Sequence, residues 1–233
     1  MDKKTAFITG GNRGLGYETA LQLAKANYAV FIGSRNWDKG NEAAQNIRSE
    51  SQNEDVWAVP TDLSDNSSFA NTLERITERT NRLDVLIHNA AIFPNYDDST
   101  SADINQLKSV FDTNVWSAIE LSRVLLPALS KSDAGRIVHV SSGMGDIREP
   151  NPSAFAYRMS KAGINAVTVF MGSDLKSAGI SVVSVCPGWC RTDMGGNEAP
   201  RSAEQGGRSI FLAATQPNIE SGAFYRDGVK VGF

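Results

Sequence analysis

Tyr157 and Lys161 stand four residues apart in Ala156-Tyr157-Arg158-Met159-Ser160-Lys161-Ala162-Gly163. In a helix, that spacing raises both side chains from one face, about one turn apart. An isolated phenol has a pKa of about 10 and is a poor acid at neutral pH. An ammonium within reach favours the phenolate and lowers that value. Lowering it by roughly three takes about 4 kcal/mol of differential interaction, available to a partly desolvated pair but not in open water. The spacing predicts Tyr157 as a general acid/base tuned toward neutral pH. A solvated helix face would carry the same pattern, so the companions of the pair decide.

The first companion is a glycine turn. Lys4-Thr5-Ala6-Phe7-Ile8-Thr9 is a strand-like run that opens into Gly10-Gly11-Asn12-Arg13-Gly14-Leu15-Gly16. Leu15, Thr19, Ala20, Leu23, Ala24 and Ala26 then recur at helical intervals. Strand, glycine turn and helix N-terminus form a cradle in which free amides and the helix dipole hold a pyrophosphate. The spacing is Gly-x-x-x-Gly-x-Gly, not the standard Gly-x-Gly-x-x-Gly. The second strand ends at Gly33, beside the expected adenosine ribose, and is followed by Ser34-Arg35 where an acid would suit NAD(H). Arg13 is a second cation for the same place. A guanidinium suits a phosphate dianion, so NADP(H) is the expected cofactor.

The 233 residues fall within the range of one α/β domain. A hydrophobic share of 41% and a charged share of 21% describe an ordinary globular chain. A net charge of −3 offers no attraction to nucleic acid or an anionic membrane. No apolar run has the length of a membrane span, and the first strand begins within a few residues of Met1, so a cytoplasmic location is expected. Cys186 and Cys190 are expected as reduced, non-catalytic thiols. His88 and His139 lie in strand-like runs and read as packed residues, leaving no metal-ligand cluster.

Strand-like runs near 55–59, 83–88, 136–141, 180–186 and 222–226 alternate with helical stretches near 38–50, 64–79, 104–129, 155–178 and 202–214. That order predicts an α/β fold: a single Rossmann-type, doubly wound parallel sheet with helices on both faces, in one domain spanning 1–233. Ligands bind beyond the carboxyl ends of such strands. Asp62 and Leu63 follow the third strand, where Asp62 could accept from an adenine amino group or cap the next helix. Asn89, Ala90 and Ala91 close the fourth strand, Ser141 and Ser142 the fifth, and Pro187-Gly188 the sixth. Asn114 lies inside a long helical stretch, an indifferent place for an amide.

Thr9-Gly10-x-x-x-Gly14-x-Gly16, Asp62, Asn89-Ala90, Asn114, Ser142, Tyr157-x-x-x-Lys161 and Pro187-Gly188 occur in one order along nearly the whole chain. In this the chain resembles the short-chain dehydrogenase/reductase family in its compact form. The stretch from Cys186 to Met194 is similar to carbonyl-reductase-like members, and Arg13 and Arg35 match members that use NADPH. The resemblance implies that Tyr157 exchanges a proton with the substrate oxygen and that Ser142, rather than Ser141, holds that oxygen. It implies that Lys161 lowers the Tyr157 pKa and bonds the nicotinamide ribose. Asn114 would hold a water through backbone groups of a distorted helix. Thr192 with Pro187 and Gly188 would orient the carboxamide, and Gly10, Asn12, Arg13, Gly14, Leu15, Gly16, Ser34, Arg35, Asp62, Leu63, Asn89, Ala90 and Ala91 would line the remainder of the dinucleotide.

Ala91 departs from the glycine usual in the family, and His88 from a common asparagine. The short stretch from Ser142 to Tyr157 leaves helices free to pair, so a homodimer or homotetramer is expected. Phe93, Pro94, Tyr96, Met144, Ile147, Trp189 and Met194 are candidate substrate walls, with Arg148 and Arg191 as the only cations near them in sequence. This apolar lining favours an uncharged ketone or aldehyde as the small-molecule partner. Met194-Gly195-Gly196-Asn197 reads as a mobile lid. The expected activity is NADPH-dependent reduction of a carbonyl. A 3-oxoacyl or hydroxysteroid reductase is the alternative within the enzyme class, and a silent NADP(H) sensor the alternative outside it.

Overall fold

The strands of the first half are apolar over most of their length, which is the pattern of a sheet covered on both faces. The structure, a computed structural model, describes residues 3–94, 96–149 and 153–233. Strands β1 (Thr5–Thr9) and β2 (Ala29–Ser34) are buried along their whole length. Strands β3 (Val56–Pro60), β4 (Val85–His88), β5 (Arg136–Val140), β6 (Ser181–Val185), β7 (Phe224–Arg226) and β8 (Val229–Val231) complete one sheet of order β3-β2-β1-β4-β5-β6-β7-β8. The first seven run parallel. The order reverses between β1 and β4, which opens a crevice at the strands' carboxyl ends.

Side chains alternate across the pleat into two cores. Ala6, Ile8, Val30 and Ile32 pack with Leu23 of α1 (Gly14–Lys25), Ile47 of α2 (Trp37–Ser51) and Ile210 of α7 (Ala203–Thr215). Phe7, Phe31, Leu86 and Ile137 pack on the other face with Phe69 of α3 (Ser68–Thr77) and with Leu121 and Leu125 of α5 (Ser117–Leu129). Full burial of each such side chain contributes about 1.5–3 kcal/mol. Caps fix the helix starts: the Asn36 side chain accepts from Lys39 N at 2.9 Å, and Ser202 and Gln205 form a capping box on α7.

Two elements differ from expectation and one follows it. The stretch 104–129 carries the helix distortion that the resemblance implied at Asn114: α4 (Ile104–Phe111) passes through a π-helical turn at Asp112–Trp116 into α5. Asn114, at the centre of that turn, binds both backbone groups of Ile92, and this anchoring accompanies the extra residue in the turn. Helix α3 begins four residues later than expected, because Asp62 and Asp65 build turns with Ser64 and Ser67 instead. Strand β8 is antiparallel to β7, so the sheet is mostly but not wholly parallel. Asp227 and Gly228 both have positive φ, +49° and +80°, as a two-residue hairpin turn demands. That Asp-Gly pair was the available sequence signal for the eighth strand.

Candidate active site

Residues that close the strands meet in one cleft of about 980 Å³, a volume that accommodates a large organic cofactor. Its floor is the glycine turn. Gly10 and Gly14 have φ of +65° and +55°, open to glycine at no steric cost. Helix α1 has no side-chain cap and no acid in its first turn, so its leading amides and positive dipole end stay available to an anion. The Asn89 side chain ties this turn to β4, donating to Thr9 O at 2.9 Å and Gly10 O at 3.3 Å. These features fit a pyrophosphate. Gly10, Asn12, Arg13, Gly14, Leu15, Ser34, Arg35, Asp62, Leu63, Asn89, Ala90, Ala91, Pro187, Gly188 and Thr192 all stand on the wall. Gly16 does not: a Cβ there would overlap the Gly10 carbonyl oxygen, so Gly16 lets α1 pack against the turn from behind.

At the ribose end the Arg35 side chain forms no ion pair among the described residues. Arg13 is instead paired with Asp193 at 2.5 Å, across the mouth of the cleft. Both partners are mostly exposed, so the pair is weak and a multiply charged ligand competes with it readily. Ser34 donates to Asn36 O at 2.9 Å. Asp62 takes the Ser64 hydroxyl and amide on Oδ1, at 2.7 and 2.9 Å. These bonds, the hydroxyl's foremost, hold the Asp62 pKa below the usual carboxylate range. Local turn formation thus occupies one carboxylate oxygen of Asp62.

The opposite wall carries Ser142, Tyr157 and Lys161. Helix α6 (Phe155–Asp174) supplies Tyr157 and Lys161, and its N-cap Ala154 sits in a left-handed conformation, φ +56°. Ser141 points back, its hydroxyl 3.4 Å from the Lys161 carbonyl. Ser142 follows β5, accepts from Met144 N at 3.1 Å and hydrogen-bonds Tyr157. Lys161 donates to Val140 O at 2.8 Å, with its ammonium 5.3 Å from the Tyr157 ring centre. Asn114 is buried off the wall, and its amide also donates to Ser160 Oγ at 3.0 Å.

The electrostatics correct one expectation. Burial pushes the Tyr157 pKa up, the nearby Cys186 sulfur adds to this, and only the Ser142 hydrogen bond pulls it down. Burial also pulls Lys161 from 10.5 to about 8. Burial therefore dominates at the phenol, while the Lys161 ammonium is directed to a backbone carbonyl and the ring face. His88 and His139 are packed strand residues, bonded to Ser122 Oγ and Thr168 Oγ1 at 2.8 Å each. No group of three metal-ligating side chains occurs among the described residues, nor a helix long and apolar enough to cross a membrane.

Residues 4–203 match the family model for short chain dehydrogenases. The chain belongs to the short-chain dehydrogenase family. A short-chain dehydrogenase of Penicillium roqueforti, anuI, is 35% identical over 230 residues, covering 93% of this chain and 90% of that one. The (+)-neomenthol dehydrogenase of Capsicum annuum is 27% identical over 301 residues, 94% of each chain. Among solved structures, the carbonyl reductase Sniffer of D. melanogaster superposes with a TM-score of 0.88 at 26% identity, covering all of both chains.

The substrate end of this short-chain dehydrogenase is only partly as expected. Phe93, Tyr96, Met144, Trp189 and Met194 line the cleft, whereas Pro94, Ile147 and Arg148 do not. Phe93 packs 4.8 Å from the Tyr157 ring and 4.9 Å from Tyr96. The glycine-rich lid is pinned: Trp189 Nε1 donates to Gly195 O at 2.7 Å, and Gly195 N to Thr192 Oγ1 at 3.1 Å. Among the wall residues that the sequence reading did not assign to the site are Cys186, Thr113, Gly143 and Arg226. Arg226 closes β7, so the rule that strand ends carry the chemistry, extended to that strand, would have found it.

Proposed function

We propose that this short-chain dehydrogenase reduces a ketone or aldehyde to an alcohol with NADPH, reversibly. The observation that carries the reading is the convergence of Ser142, Tyr157 and Lys161 on one wall of a cleft that also holds the glycine turn and Arg35, which forms no ion pair among the described residues. Arg35 would hold the 2′-phosphate, Gly14 and Leu15 the pyrophosphate, and Lys161 the nicotinamide ribose. NADPH supplies the hydride when bound.

The protein's part is to hold the carbonyl oxygen and hand it a proton. Ser142 and Tyr157 hydroxyls both donate to that oxygen, polarising it as charge develops. With its pKa raised by burial, Tyr157 keeps its proton at neutral pH, the form that reduction requires. Lys161, cationic below about pH 8, stabilises the phenolate left behind. Phe93 against the ring limits water at the proton-transfer site. The buried free thiols of Cys186 and Cys190 suit a reducing, cytosolic location. NADPH and NADH consumption with a panel of ketones and aldehydes, beside a Tyr157→Phe control, tests the reading. No turnover of any carbonyl compound would overturn it.

A further inference from the structure

The guanidinium of Arg226 reaches the substrate end of the cleft. Its Nη2 lies 2.9 Å from Cys186 Sγ, which also accepts from Gly143 N at 3.2 Å. A Cβ built at Gly143 would meet the same Nη2 at 3.3 Å, so the fork stands beside the residue that follows Ser142. A planar fork of five donors is thus answered by one sulfur, a weak acceptor.

Asp227, next in the chain, acts on Arg226 through its charge but gives both oxygens to Arg201, at 2.9 and 2.6 Å, and Glu220 pairs with Lys230 at 2.6 Å. The two carboxylates on the cleft wall, Asp62 and Asp193, face Ser64 and Arg13 at the nucleotide end. Arg226 forms no ion pair among the described residues. Lys161, Arg191 and Arg226 thus stand on the cleft wall with no ion-pair partner among the described residues. Such a wall raises the local concentration of anions, and a carboxylate offers the fork two charge-assisted bonds in place of one weak one.

We propose that Arg226 anchors a carboxylate of the substrate, so that preferred substrates are oxo acids rather than the neutral ketones that the apolar loops suggest. This rests on the carbonyl-reductase reading above. Because the fork adjoins Gly143, the carboxylate and the carbonyl held by Ser142 are separated by only a few bonds, as in 2-oxo and 3-oxo acids. Met144, Trp189 and Met194 cover the remaining hydrocarbon.

The test compares short 2-oxo and 3-oxo acids with their methyl esters, by kcat/KM with NADPH, in wild type, Arg226→Gln and Arg226→Lys. The acid should exceed its ester by on the order of 10–100-fold in wild type, mainly through KM. That ratio should fall to near one in Arg226→Gln and recover in part in Arg226→Lys. In parallel, saturated carboxylates of the same length should raise the Tm of wild type and not of Arg226→Gln. Equal turnover of acid and ester in wild type, or a ratio unchanged by Arg226→Gln, overturns the anchor. If no carbonyl compound is reduced, the reductase reading falls by itself, and the Tm comparison then decides the anchor: a shift confined to wild type upholds it, and no shift overturns it.

Discussion

The Lys161 ammonium donates to the Val140 carbonyl oxygen at 2.8 Å while standing 5.3 Å from the centre of the Tyr157 ring. Helical spacing puts the two residues on one face, and the end of β5 then draws the lysine toward the strand. Burial lowers the Lys161 pKa from 10.5 to about 8. Between those values the folded protein binds fewer protons at Lys161 than the unfolded chain, so its contribution to stability rises with pH across that window. Denaturant unfolding of wild type and Lys161→Met should show wild type gaining on the order of 2–3 kcal/mol relative to the variant from about pH 7.5 to about pH 10. A constant difference between them would contradict a depressed lysine.

Tyr157→Phe removes the proton donor and little else, since the ring still packs against Phe93. Its kcat for carbonyl reduction should fall by about 10²–10⁴-fold. NADPH binding, followed by nucleotide fluorescence, should persist. Ser142→Ala should lower kcat less, because one of two donors to the oxygen remains. Undiminished turnover in Tyr157→Phe would remove Tyr157 from the chemistry.

Coenzyme choice should turn on Arg35 more than on Arg13, whose guanidinium already faces Asp193. Arg35→Asp should lower the NADPH-to-NADH ratio of kcat/KM by about 10–100-fold, the loss of a charge-assisted pair and the gain of a repulsion. Arg13→Ala should change it less. A ratio untouched by Arg35→Asp would place phosphate selection elsewhere.

Acid should weaken the fold through its buried histidines. Burial lowers the His139 pKa to about 3 and that of His88 well below 6.5. The unfolded chain takes up these protons first, so stability present above about pH 6.5 is lost as pH falls toward 3. Each residue adds up to about 1.4 kcal/mol per pH unit to that slope. His139→Asn should flatten the dependence of unfolding free energy on pH between about 6.5 and 5, and an unchanged slope would show that His139 is protonated in the fold.

Helix α6 exposes Met159, Val169 and Phe170, and the π-turn before α5 exposes Trp116. Pairing with a second copy would cover them. Light scattering should therefore give the mass of two or four chains, and Phe170→Glu should lower it. The mass of one chain for wild type would dispose of the pairing.

The sequence by itself determined the order of the first seven strands and the helices between them, the glycine turn and the candidate residues at most strand ends. These are written in local patterns: apolar runs, 3.6-residue periodicity, glycines where a turn needs positive φ, and Tyr157 one helical turn from Lys161. Contacts between distant segments have no such signature, and they settled the rest. Asn114 became the centre of a π-turn because Ile92 receives its amide. Gly16 turned out to face the Gly10 carbonyl rather than the cleft. Arg226, 84 positions beyond Ser142 in the chain, entered the substrate end because β7 lies beside β6. The tuning of Tyr157 reversed for the same reason: a pKa depends on burial and on where neighbouring charges point, and only the packed chain sets either.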